Sequence, residues 1–159
     1  TTEIYTLSLH DALPISSENP ANGIQYLEKL LETVEFDFII IFLGINDLFA
    51  DRDVSVKHIA SGIEKMIHRV KFTHPGSAVI IVTPPRINGD FEEAYLYQSE
   101  IEKSGRLSHE FKHTAASNVS LFVDADKFLK NSPIDGVHLE AQDHVKFGSY
   151  MADFIRLSL

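Results

Sequence analysis

The stretch Phe38-Ile39-Ile40-Ile41-Phe42-Leu43 constrains this chain more than any other. It is short, rich in β-branched residues and apolar at odd and even positions alike. Side chains of a strand alternate between two faces, so this segment has to be buried on both, as an inner strand of a parallel sheet covered by helices is. It runs straight into Gly44, Ile45, Asn46 and Asp47. Two polar side chains at the end of so apolar a strand call for an explanation.

Periodicity around this strand supplies the rest of the architecture. Ile24, Leu27, Leu30, Leu31 and Val34 recur at helical spacing behind Asn22, an N-cap residue type, which predicts a helix over 22–34. Ile59, Ile63, Ile67 and Val70 predict a second over 55–72, ended by Thr73-His74-Pro75-Gly76. Ala78 to Val82 is another strand with two buried faces, stopped by Pro84 and Pro85 because proline cannot donate to a ladder. A loop over 84–92 and a helix over 93–116 follow, with Gly105 weakening that helix near its middle. Ser120 to Asp124 reads as a third strand, Pro133 to Glu140 as loop, and Ala141 to Leu157 as a closing amphipathic helix with Val145, Met151, Phe154 and Ile155 inward. This alternation of helix and strand predicts α/β units wound into a doubly wound parallel sheet. At 159 residues and 44% hydrophobic content, one domain with its own core is expected.

Charge and composition narrow the partners. The formal net charge is −9, and no Lys/Arg stripe gathers that could neutralise phosphates, which argues against nucleic acid and anionic membrane. The longest apolar run, Phe38 to Leu43, is far short of the roughly 20 residues that span a bilayer. With no cysteine there is no disulfide framework, thiol nucleophile or Cys-based zinc site, a state that suits cytoplasm and periplasm equally. No signal-peptide pattern is visible at the N-terminus. A homo-oligomer is left open.

In open α/β sheets ligands bind beyond the carboxyl ends of the strands, where Gly44, Asn46 and Asp47 fall. An asparagine there can aim its NH2 into a cleft as an oxyanion donor, with glycine allowing close approach of the backbone; the same residues can equally make a plain turn through side-chain bonds to local backbone. Asp135 and His138 in Ser132-Pro133-Ile134-Asp135-Gly136-Val137-His138 have a spacing that lets a carboxylate hold Nδ1 of an imidazole while Nε2 points outward as a general base, or they are an Asp-Gly turn and a histidine near a helix start. A rival is His109-Glu110-Phe111-Lys112-His113, which matches H-E-x-x-H, in which two histidines bind zinc and the glutamate is the base. Glu140 and His144 are candidates for a third ligand. Against it, Phe111 shares an apolar stripe with Leu107 and Ala115, which puts both histidines on or beside a solvated face. A non-catalytic binding module of the same fold is a third reading.

Gly44-Ile45-Asn46-Asp47 resembles the G-x-N-D block, and Asp135-Gly136-Val137-His138 the D-x-x-H block, of the SGNH (GDSL-type) hydrolases. The arylesterase-like branch is the most similar, over most of residues 20–157. The resemblance implies a three-layer α/β/α flavodoxin-like fold and hydrolysis of a small carboxylic ester through an acyl-enzyme, without cofactor or metal. It implies Asn46 as oxyanion donor, Gly44 as its backbone support, Asp47 in a supporting role, His138 as general base and Asp135 as its orienter. Position 45 is commonly small or polar in that branch, and Ile45 departs from it.

The larger departure is the absence of the family's Gly-Asp-Ser block, which carries the nucleophile after the first strand, and of a second block that gives a glycine N–H to the oxyanion hole. Ser16 and Ser17 follow no tight Gly-flanked turn and cannot be assigned the role. Residues 1–15, Thr-Thr-Glu-Ile-Tyr-Thr-Leu-Ser-Leu-His-Asp-Ala-Leu-Pro-Ile, match the translation of a sequencing-library adapter residue for residue. The expectation is therefore a non-native segment over 1–15 and, over 16–159, the C-terminal major part of one SGNH-type domain that lacks its native first strand and nucleophile and is itself inactive. The alternation in Glu3 to Leu9 would let that segment stand in for the missing strand beside Phe38 to Leu43.

Overall fold

The computed structural model of the chain describes residues 3–7, 15 and 23–158. Four parallel strands, β1 (Ile4–Leu7), β2 (Phe38–Ile41), β3 (Ala78–Thr83) and β4 (Leu121–Asp124), lie side by side in that order. In register, Ile4 to Leu7 face Phe38 to Ile41, Phe38 to Ile41 face Ala78 to Ile81, and Ile80 to Thr83 face Leu121 to Asp124. The N-terminal segment does take the edge beside β2.

The parity of β2 and β3 divides the interior in two. Ile39, Ile41, Val79 and Ile81 pack with Leu27 and Leu31 of α1 (Gly23–Leu31), with Ile59, Ile63, Met66, Ile67 and Val70 of α3 (Val56–Thr73), and with Leu107, Phe111 and Ala115 of α5 (Leu107–Ser117). Phe38, Ile40, Phe42, Ile80 and Val82 join Val123, Leu129, and Met151 and Ile155 of α6 (Ala141–Ser158) on the other face. The result is helix, sheet, helix, the three-layer arrangement that two-faced apolar strands require. A one-turn helix, α2 (Asp47–Ala50), follows β2, and α4 (Gln98–Ser104) precedes α5. No helix among the described residues is long and apolar enough to cross a membrane.

Three local expectations are corrected. α1 stops at Leu31 rather than running to 34, and Asn22 lies outside the described residues. The helix expected over 93–116 is a 3-10 turn, Ala94–Leu96, followed by α4 and α5 with a break at Gly105 and Arg106. The break has a use. Ser104, buried at the end of α4, donates its hydroxyl to the carbonyl of Ile101 at 2.7 Å and accepts the N–H of Ile87 at 2.9 Å, so it ties the helix end to the loop after β3. Val145 is 71% exposed, not inward. The apolar contacts of α6 begin one half-turn later, with Phe147 stacked on Phe42 at 4.8 Å, and continue at Met151, Phe154 and Ile155 in the phase set by that contact.

Between α5 and β4 the chain turns through Val119, which is exposed and has φ 48°, the left-handed region that a β-branched residue enters only under strain. Lys71 reaches across to bond the carbonyls of Asn118 and Val119 and holds the turn in place. Left-handed backbone costs an L residue about 1–2 kcal/mol, and glycine returns roughly 0.5–1 kcal/mol of that through its greater unfolded-state freedom. Val119→Gly should therefore raise the melting temperature by about one to a few degrees. An unchanged or lower Tm would show that the turn stores no strain.

Candidate active site

Past Ile41 the chain continues buried through Phe42 and Leu43 and turns at Gly44, where φ is 114°. A Cβ there would lie 2.9 Å from the ring of Phe111 and 3.2 Å from Ile59, so glycine is required both by conformation and by space. Ile45 is fully buried in the core shared by α1, α3 and α5, which explains an apolar residue at that position. Asn46, half-buried, stands at the N-cap of α2, yet its side chain makes no cap hydrogen bond. Its backbone carbonyl accepts the N–H groups of Phe49 and Ala50 instead, at 3.2 and 3.0 Å. Asp47 is buried and its Oδ2 accepts the N–H of Ile15 at 3.0 Å.

The second element is the loop over 131–140. One oxygen of Asp135, Oδ1, accepts the backbone N–H groups of Val137 and His138 at 2.9 and 3.0 Å; the other, Oδ2, accepts Nδ1 of His138 at 2.8 Å. One carboxylate thus both closes the turn and holds the ring. With Oδ2 as acceptor, Nδ1 carries a proton, and Nε2 is the ring nitrogen that Asp135 does not engage, on a side chain largely open to solvent. Gly136 has φ 78°, and a Cβ on it would fall 2.5 Å from the ring of Phe91.

Parallel strands put both elements at one rim, and aromatic rings join them. Phe49, one turn beyond Asn46, meets Tyr97 with ring centroids 5.5 Å apart, and Tyr97 meets Phe91, the ring beneath Gly136, at 6.0 Å. The structure thus brings Gly44, Asn46 and Asp47 to the same rim as Asp135 and His138.

Residues 109–113 sit differently. Phe111 is buried under Gly44, the His109 side chain is 85% exposed beside Glu110, and His113 is exposed. α5 packs on one face of the sheet, whereas Glu140 and His144 lie at the start of α6 on the other, Glu140 accepting the hydroxyl of Ser132. Among the described residues no group of three or more His, Asp or Glu gathers as a metal site. Sequence reasoning did not find the polar residues beneath the loop over 131–140. Asn88, Asn131 and Ser132 look like ordinary loop residues, and no spacing marks partners more than forty positions apart.

Burial pushes the Asp135 carboxyl up, but the N–H groups of His138 and Val137 and the imidazole beside it outweigh that and hold its pKa below the usual carboxylate value. At Asp126, burial is again outweighed, here by the Arg86 guanidinium, which donates to both carboxylate oxygens at 2.6–3.1 Å. A carboxylate with a depressed folded pKa stabilises fully above its unfolded pKa, and that contribution is lost as pH falls through the folded one. Asp135→Asn and Asp126→Asn should each flatten part of the acid-side loss of stability, measured as denaturant midpoint against pH from neutrality downward. A wild-type slope retained in both variants would refute the assignment.

No family model matches the chain, and no curated protein is significantly similar to it in sequence. Solved structures do match. Est24, a carbohydrate acetylesterase from Sinorhizobium meliloti, superposes with a TM-score of 0.82 at 27% identity, over 93% of this chain and 75% of that one. The aryl esterase of M. smegmatis gives 0.82 at 22% identity, over 93% and 75%. A carbohydrate acetylesterase family member from Sinorhizobium meliloti gives 0.82 at 19%, over 99% and 98%. The latter two likenesses are of fold. With that fold, and with its G-x-N-D and D-x-x-H blocks standing at one rim of the sheet, the chain is similar to the SGNH (GDSL-type) hydrolases, the carbohydrate acetylesterase Est24 among its structural neighbours.

Proposed function

We propose that this domain carries the base and oxyanion half of a serine carboxylic ester hydrolase. In the complete enzyme the serine of a Gly-Asp-Ser block attacks the ester carbonyl carbon while Nε2 of His138 takes its proton. Asp135 keeps Nδ1 protonated and the ring oriented, and stabilises the imidazolium that forms. The Asn46 carboxamide donates to the oxygen that becomes anionic, with Gly44 allowing the backbone to approach and Asp47 supporting the turn. His138 then returns the proton to the departing alcohol, and water repeats the cycle on the acyl-enzyme.

The observation that carries this reading is the 2.8 Å bond between Asp135 and His138, which engages Nδ1 and not Nε2. Asn46 adds support. The competing turn reading needs its side chain bonded to local backbone, and that bond is not made at the N-cap. The substrate class, a small ester such as an acetylated sugar or an aryl ester, is supported by the named activities of the matching esterases. The sequence holds no Gly-Asp-Ser block, so residues 16–159 are proposed as the major part of a domain whose nucleophile lies outside this chain, and residues 1–15 as a non-native segment.

In a parent enzyme that carries the Gly-Asp-Ser block, His138→Ala should cut ester turnover by several powers of ten, because members of a triad act as a unit. A loss below tenfold would remove His138 from the role. Asn46→Ala should lower kcat by roughly 10²-fold or more with the fold intact; a variant that unfolds instead would favour the turn reading. The 159-residue chain itself should hydrolyse p-nitrophenyl acetate no faster than buffer. Turnover that disappears on His138→Ala would refute the missing nucleophile. Activity of the parent should also survive chelators, and stoichiometric zinc whose removal abolishes turnover would transfer the chemistry to His109, Glu110 and His113.

A further inference from the structure

The Asp135–His138 pair stands largely in solvent, with side chains 45% and 62% exposed. An exposed ion pair holds little by itself, since screening and side-chain entropy offset most of its attraction. Its geometry has to be imposed from beneath.

The loop after β3 does this. The ladder ends before Pro84 and Pro85, and the chain beyond them bonds to residues within 131–140. The backbone N–H of Asn88 donates to the carbonyl of Gly136 at 2.9 Å, and its side-chain Nδ2 to the carbonyl of Asn131 at 3.0 Å. Asn131 reciprocates: its Nδ2 donates to the carbonyls of Pro85 and Arg86 at 3.1 and 3.0 Å. The two asparagines therefore brace the two loops against each other. The next residue, Ser132, donates its N–H to the carbonyl of His138 at 2.7 Å, and its own carbonyl accepts the N–H of Gly136 at 2.9 Å. Its hydroxyl oxygen accepts the N–H of Ile134 at 3.1 Å. Asn131 and Ser132 are 3% and 4% exposed and Asn88 is half-buried, so the brace is better shielded than the pair it carries.

Among the described residues, the buried Oδ1 of Asn131 has no hydrogen-bond partner. Arg86 anchors the frame from its other side through Asp126, in the 3-10 turn Ala125–Lys127 that follows β4.

We infer that Asn88 and Asn131 are positioning residues for the Asp135–His138 pair, so that the loop over 84–92, a natural candidate for shaping substrate choice, sets the base. This rests on His138 being that base. Small displacements of a reacting group cost up to about 10²-fold in rate.

The test uses ¹⁵N-histidine spectra of the 159-residue chain, which need no nucleophile, on the parent sequence, Asp135→Asn, Asn88→Ala and Asn88→Asp. Asn88→Asp keeps the acceptor for the N–H of Asp90, and with it the local turn, but loses the donor to Asn131. The unaltered chain should show His138 as the Nδ1–H tautomer. Asp135→Asn should shift it toward a mixture, and both Asn88 variants should do the same while remaining folded by circular dichroism. In a parent enzyme with the Gly-Asp-Ser block, either Asn88 variant should lower kcat by about 10- to 100-fold with KM changed by less than about twofold. If Asp135→Asn leaves the tautomer unchanged, the base assignment fails and takes this inference with it. If Asp135→Asn shifts it and Asn88→Asp does not, the positioning role alone fails. Global unfolding of both Asn88 variants would make the brace merely structural and overturn the inference as well.

Discussion

Two-faced burial of β2 is the constraint from which the remaining structure follows. Ile39 and Ile41 point to one set of helices, Phe38, Ile40 and Phe42 to the other, and each fully buried side chain of this size contributes about 1.5–3 kcal/mol. No helix-free face can satisfy such a strand, so the chain has to cross from sheet to helix and back, which makes the strands parallel. Parallel strands end on one side. That is why an asparagine after β2 and a histidine beyond β4, far apart in sequence, occupy one rim.

The elements read correctly from sequence were those where burial acts on many residues at once. β2 and β3 announce themselves through apolar residues at both parities, and α3 through Ile59, Ile63, Ile67 and Val70, capped by Ser55. Where one residue decides, sequence misleads. Gly105 looked like a weak point inside a helix and is a break, because Ser104 is committed to the loop after β3. Val145 looked inward because it is apolar, but the contact of Phe147 with Phe42 sets the phase of α6. At the site, the candidate residues were legible through short spacings, Gly44 to Asp47 and Asp135 to His138. The brace beneath them was not, since Asn88 and Asn131 are 43 positions apart and asparagine in a loop ordinarily signals a turn.

The segment His109 to His113 shows how a pattern can matter for a residue other than the ones that define it. Its histidines lie in or near solvent, while Phe111 fills the space that a Cβ on Gly44 would need. The backbone turn that presents Asn46 and the ring of Phe111 are therefore complementary shapes, and neither can change size alone. Ile59 closes the same space from α3.

Ser104 has a consequence for how this architecture can be altered. Its hydroxyl belongs to a helix end in sequence but to the loop after β3 in space, just as Asp126 belongs to the turn after β4 yet holds Arg86. The unit that carries the loop is thus discontinuous: residues 84–92, Ser104, Asp126 and 131–140 form one physical object assembled from four stretches of chain. A loop grafted from a relative at 84–92 alone would arrive without its anchors, leaving the Ser104 hydroxyl and the Asn131 amide facing a backbone of the wrong shape. Diversification at this rim should proceed by concerted exchange of those four pieces, or by changes confined to exposed side chains outside them, such as Tyr95 and Leu96.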